Sequence, residues 1–151
     1  MNALTRIRAA GLLGLALMTA HSAGAQPAAV EADAPWVRAA PPGMAMLAGY
    51  VALSNRGEAS IHLVAAASDD FAAAEIHRTE VIDGVSRMRP VSALEIAPGA
   101  TMRLEPGGAH LMLMRPSRAL AEGDSVSITL RFDDGATLAV DFPVLRQAPA
   151  R

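Results

Sequence analysis

Apolar and polar residues alternate with a period of two along much of this chain, and turn residues interrupt the alternation every few positions. Over residues 125–132, Val126, Ile128, Leu130 and Phe132 alternate with Ser125, Ser127, Thr129 and Arg131. Leu138, Val140 and Phe142 continue the pattern beyond the turn Asp133-Asp134-Gly135. Period-two alternation marks a half-buried strand, so these two runs predict a hairpin. A second hairpin is predicted where residues 74–82 run into Asp83-Gly84 and residues 85–91 leave it, because Asp-Gly between such runs favours a two-residue turn. That turn pairs Ile82 with Val85, Thr79 with Met88 and His77 with Pro90. Shorter runs at 35–38, 47–54, 60–66, 101–104 and 110–114 lie between breakers such as Pro41-Pro42-Gly43, Asn55-Arg56-Gly57 and Pro106-Gly107-Gly108. The one helix candidate, residues 68–74, is about one turn long and capped by Ser68 or Asp69. Seven or eight short strands with this many turns predict an all-β sandwich.

The first 25 residues break the pattern. Arg6 and Arg8 precede an apolar run from Ala9 to Met18, and Ala23-Gly24-Ala25 supplies a small-residue cleavage site. These are the parts of a secretory signal peptide. The run falls short of the ~20 apolar residues needed to span a bilayer, so no membrane anchor is expected. With no cysteine, the chain has no site for lipoprotein acylation. Residues 26–34 read as a flexible spacer, 35–145 as the folded domain and 146–151 as a loose tail. Removing residues 1–25 leaves 11 Arg against 15 acidic side chains, a net charge of −4. The expected product is an acidic, soluble, monomeric resident of an oxidising compartment, with no basic footprint for nucleic acid. The missing cysteines also exclude disulfide scaffolds, thiolate metal sites and cysteine nucleophiles.

The remaining chemistry lies in three histidines and six methionines: His62, His77, His110, Met44, Met46, Met88, Met102, Met112 and Met114. On the predicted hairpin, His77 and Thr79 share a face, and Met88 lies diagonally beside His77. Diagonal cross-strand neighbours stand ~7–8 Å apart, within reach of two long side chains gripping one ion. In His110-Leu111-Met112-Leu113-Met114 the same period groups His110, Met112 and Met114, and turns Leu111 and Leu113 to the core. Thioether sulfur is soft and uncharged and suits Cu(I) better than Zn²⁺, Ca²⁺ or Mg²⁺. A His₂Met₂ set holds Cu(I) without thiolate, and without cysteine it is not a blue-copper electron-transfer centre. Against this stand ordinary structural roles. Methionine commonly fills core gaps, which is the reading preferred for Met102 and a fair one for Met114. His62 reads as a structural histidine. Met44 and Met46 fit either a core position or a loop beside the site.

The spacing of the four selected residues resembles a known pattern. His77, ten residues, Met88, twenty-one residues, His110, one residue and Met112 reproduce the H-x10-M-x21-H-x-M motif of the periplasmic copper chaperones called PCuAC. The flanking segments Arg87-Met88-Arg89-Pro90-Val91, Pro106-Gly107-Gly108 and Trp36-Val37-Arg38-Ala39 are similar to that family as well. The resemblance covers about residues 35–144. It implies a cupredoxin-like, Greek-key β-sandwich binding one Cu(I) per chain through His77, Met88, His110 and Met112. It also implies delivery towards the CuA centre of cytochrome c oxidase subunit II, often alongside a Sco-type thiol protein. Two departures are visible. Thr79 stands where many relatives carry a further methionine, and the tail 146–151 lacks the histidines and methionines with which some relatives bind Cu(II).

Other functions compete with delivery. Copper storage or detoxification would use the same site. A zinc hydrolase would need His62 to join His77 and His110, since catalytic zinc usually takes three N/O protein ligands. A metal-free sandwich used for adhesion or assembly would need none of these residues. No GxSxG, HExxH or phosphate-loop motif is present, so no enzymatic activity is expected.

Overall fold

Strand-forming alternation and the turns between produce ten strands in the computed structural model, which describes residues 29–150. The predicted signal peptide, residues 1–25, lies outside the described residues. In chain order the strands are β1 (Val30–Arg38), β2 (Met46–Asn55), β3 (Ile61–Ala67), β4 (Phe71–Ile82), β5 (Val85–Pro90), β6 (Leu94–Ile96), β7 (Thr101–Leu104), β8 (Ala109–Pro116), β9 (Ser125–Phe132) and β10 (Thr137–Leu145). No helix occurs among the described residues.

The strands follow the hydrogen-bonded order β5-β4-β8-β7-β2-β1-β10-β9-β3-β6, and β8 also pairs with β2. A short parallel contact between β1 and β10, at Val37↔Val144 and Arg38↔Leu145, joins a first sheet (β5 to β1) to a second (β10 to β6). Both sheets feed one core. Leu53, Leu111 and Leu113 of the first and Leu63, Ile128, Leu130 and Phe142 of the second are wholly buried. Each such side chain stabilises the fold by roughly 1.5–3 kcal/mol relative to exposure. The all-β sandwich expected from the alternation is therefore the observed architecture.

Two local expectations change. The helix candidate at residues 68–74 is only a turn at Asp69-Asp70, held by Asp70 N–H donating to Ser68 Oγ at 3.2 Å. Phe71 is buried, and β4 takes the chain from that residue onwards as a long strand against β8. Residues 30–34, expected within a flexible spacer over 26–34, instead belong to β1. Its weak strand formers are carried by pairing with β2, from Val30↔Asn55 to Val37↔Gly49. Such pairing commonly overrides intrinsic preference. A register shift between Asp33 and Trp36, with Ala34 at φ 47°, marks a bulge in this strand. Beyond β10, residues 146–150 form no strand, although Arg146 pairs with Glu122 at 2.7 Å.

Two polar side chains fasten the loops. Asn55, almost fully buried, donates from Nδ2 to the Ala59 and Ile96 carbonyls and accepts from Gly57 N–H, which closes the β2–β3 turn onto β6. Asp133 accepts from His62 N–H at 2.9 Å, and its other oxygen lies 2.7 Å from His62 Nδ1. That clasp ties the β9–β10 turn to β3 and pulls the Asp133 carboxyl below its ordinary range, chiefly through the His62 backbone N–H.

Candidate metal site

The site lies on the first sheet, on the face turned away from the core. Leu111 and Leu113 of β8, Ile76 of β4 and Leu47 of β2 point inward and are buried. Residues of the opposite parity therefore form the outer face: Glu75 and His77 on β4, His110, Met112 and Met114 on β8, and Met46 and Ala48 on β2.

The β4–β5 hairpin has the predicted register. Ile82 pairs with Val85, Thr79 with Met88 and His77 with Pro90. Asp83 and Gly84 both have positive φ, 53° and 76°, as a type I′ turn requires. Because the turn fixes the pairing, Met88, opposite Thr79, is placed on the His77 face, two residue pairs nearer the turn. It is 59% exposed, on a strand that is exposed along its whole length.

The pairing of β4 with β8 then adds the second half. His77 is directly opposite His110, and Glu75 is opposite Met112. The two imidazole rings are 6.0 Å apart between centroids and inclined at 47°. Each ring is held through one nitrogen. His77 Nε2 lies 2.9 Å from the Glu75 carboxylate, and His110 Nδ1 lies 3.2 Å from the Gly108 carbonyl. Both partners are acceptors, so a neutral ring carries its proton on the bonded nitrogen. The other two nitrogens, His77 Nδ1 and His110 Nε2, are buried and have no hydrogen-bond partner. Leaving a buried polar atom unpaired costs roughly 1–3 kcal/mol. Two such atoms on directly opposed residues form a ready pair of neutral donors, each backed by an outer acceptor as metal-ligating histidines usually are.

All four predicted residues thus come onto one face across three adjacent strands. Met88 stands beside His77, and Met112 is the next outward residue after His110 along β8. Two imidazole nitrogens and two thioethers suit a soft monovalent ion such as Cu(I). His62 takes no part. It belongs to β3 in the second sheet and is engaged by Asp133, and no group of three His, Asp or Glu placed to hold a metal occurs among the described residues. Met102 pairs opposite Leu53, so it faces the core rather than the site, as its reading as core filler requires. Met114, in contrast, belongs to the outer face. The structure also brings in Glu75 and Gly108, which the sequence reading did not select. Glu75 had a usable signal, since it lies two residues before His77 and so on the same face of a strand.

The outer face continues towards β1 as an aromatic patch. Trp36 and Tyr50 are 4.8 Å apart between ring centroids, and the Arg38 guanidinium lies 5.7 Å and 5.8 Å from their rings. Burial raises the Tyr50 phenol above its ordinary range, with Arg38 opposing the shift.

Comparison with known proteins agrees with this architecture. Residues 30–144 match the family described as "Putative lipoprotein LpqE-like". The chain is 36% identical over 138 residues to "Putative lipoprotein Lxx21020" of Leifsonia xyli subsp. xyli, covering 89% of this chain and 82% of that protein. The solution structure of apo-DR1885 from Deinococcus radiodurans is 32% identical, with a TM-score of 0.62 over 97% of this chain and 99% of that one. Its CuI form gives 31% identity and a TM-score of 0.58, with 87% of each chain covered. The copper-bound PCuAC domain from PmoF2 is 23% identical, with a TM-score of 0.66 over 82% of this chain and 97% of that domain, which is a likeness of fold. This chain belongs to the LpqE-like family, and its sandwich is the cupredoxin-like fold of PCuAC domains.

Proposed function

We propose that this protein is a periplasmic metallochaperone carrying one Cu(I) on the outer face of its first sheet. His77 Nδ1, His110 Nε2 and the sulfurs of Met88 and Met112 are the ligands. The observation that carries this reading is the pair of buried, unpartnered ring nitrogens on His77 and His110. Support comes from DR1885, whose structure is known in a CuI form, and from the copper-bound PCuAC domain of PmoF2.

The donor set explains carriage better than catalysis. All four donors are neutral, so bound Cu(I) keeps its single positive charge and no carboxylate or thiolate locks it in place. Met88 is the exposed ligand on an edge strand, and an incoming thiolate or imidazole from a partner displaces it first. The protein then passes the ion by ligand exchange, with no change of oxidation state and no reaction catalysed. The recipient proposed is the CuA centre of cytochrome c oxidase subunit II, with a Sco-type thiol protein as companion. Export through a cleaved signal peptide at residues 1–25 completes the reading. Lxx21020 is called a putative lipoprotein, whereas this chain has no cysteine to acylate.

Anaerobic loading followed by titration against a CuA domain, observed by NMR, tests the proposal. One copper per chain, bound far more tightly than Zn²⁺ and released to the CuA domain, is the expected result. One copper retained against that domain would favour storage. Zinc bound as tightly as copper would remove the Cu(I) assignment.

A further inference from the structure

The outer face holds a second soft-donor pair that the four-ligand site does not use. Met46 of β2 is directly opposite Met114 of β8, and the adjacent pair on the same face is Ala48 opposite Met112. On its other side Met114 faces Ala73 of β4. Alanines therefore occupy two neighbouring ladder positions, Ala48 and Ala73. Met46 is 53% exposed and Met114 is half-buried. Met46 and Met114 lie on the opposite face of their strands from Leu47, Leu111 and Leu113, which fill the core. Further along the same face the open positions are polar, with Ser54 Oγ hydrogen-bonded to Thr101 Oγ1. Methionine is thus confined to the end of the face that carries the histidines.

We propose that Met46 and Met114 form a second, weaker Cu(I) station through which the ion passes to and from the main site. Side chains directly opposite on paired antiparallel strands have Cβ atoms ~4.5–5.5 Å apart, within the span of two thioethers on one ion. Cu(I) is a soft ion matched to such donors, and two neutral sulfurs bind it weakly enough to exchange. Successive outward residues on one strand are separated by about 7 Å. Met114, Met112 and His110 are therefore evenly spaced steps from the open station to the buried nitrogens. Each step replaces one thioether or imidazole on Cu(I) by the next, and no electron or proton is transferred.

The proposal rests on the reading of the main site as a Cu(I) site, and methyl NMR separates the two. Full-length protein carrying ¹³C-ε-methyl methionine is titrated anaerobically with Cu(I) supplied as its acetonitrile complex. The first equivalent is expected to shift the Met88 and Met112 methyls, and the second those of Met46 and Met114. In the Met46→Leu/Met114→Leu variant the first-equivalent response is expected to be unchanged and the second lost, which also shows that the variant is folded. Met46 and Met114 methyls that stay still through two equivalents would overturn the station and leave the main site standing. A second equivalent that moves only Met44, or movement of Met46 and Met114 with the first equivalent, would overturn it too. Silence at Met88 and Met112 would instead overturn the main-site reading.

Discussion

His77 and His110 are cross-strand partners on β4 and β8, and each has one ring nitrogen bonded to an acceptor and the other buried without a partner. The two rings are held through different atoms, Nε2 in His77 and Nδ1 in His110. In the neutral, metal-free protein they are therefore expected to be opposite tautomers, with the proton on Nε2 of His77 and on Nδ1 of His110. Long-range ¹H–¹⁵N correlation spectra distinguish the two forms. The same tautomer in both rings would contradict the assigned ligand atoms.

Glu75 positions His77 from outside. Its carboxylate holds the Nε2–H at 2.9 Å and so fixes the ring with Nδ1 free. Removing such an outer partner typically lowers metal affinity by ~10–100-fold. Glu75→Ala is expected to weaken Cu(I) binding within that range, while circular dichroism stays unchanged because Glu75 is on the exposed side of the sheet. Competition with a Cu(I) chelator measures the loss.

Methionines on the two sides of the sheet are expected to behave differently. Met88→Ala and Met112→Ala should weaken Cu(I) binding strongly and leave thermal stability nearly unchanged. Met102→Ala removes a side chain packed against the core opposite Leu53, and is expected to cost about 2 kcal/mol of stability without loss of affinity. Paired chelator competition and denaturant titration on each variant separate the two effects.

The clasp between Asp133 and His62 gives an acid signature. Hydrogen bonding from the His62 backbone N–H holds the Asp133 carboxyl below its ordinary value of 3.8. A lowered folded-state value means that the charged form stabilises the fold above pH 3.8, and that this contribution disappears as pH falls through the lower, folded-state value. Asp133→Asn is therefore expected to melt below the parent protein at pH 7. The gap in melting temperature should close in the acid range below 3.8. Melting curves over this range test it, and a constant gap would contradict it.

Local turns made part of this site readable from the chain. Asp83-Gly84 dictates the β4–β5 register, so the placement of Met88 beside His77 follows from two residues. The inward Leu111 and Leu113 likewise determine the outward face of His110, Met112 and Met114. The direct opposition of His77 and His110 was not readable. It depends on β4 pairing with β8, more than thirty residues away, and such pairings are chosen by packing of the whole sandwich rather than by a turn. The same reason hid the Met46–Met114 pair, whereas Glu75, two residues before His77 on one face of β4, was readable from the chain. β6 escaped notice because three residues, Leu94–Ile96, are too few to show a period. Ser68 or Asp69 was expected to cap a short helix, but Ser68 Oγ only closes a turn, which leads into a strand because buried Phe71 starts the pairing with β8.

X-ray absorption at the copper edge, on protein loaded anaerobically with one equivalent of Cu(I), tests the central claim most directly. The parent protein is expected to show a reduced ion surrounded by two nitrogen and two sulfur scatterers. His110→Ala should lose one nitrogen and Met88→Ala one sulfur. An all-sulfur shell, or a nitrogen shell unchanged when His110 is replaced, would contradict the assignment of the ion to His77, Met88, His110 and Met112.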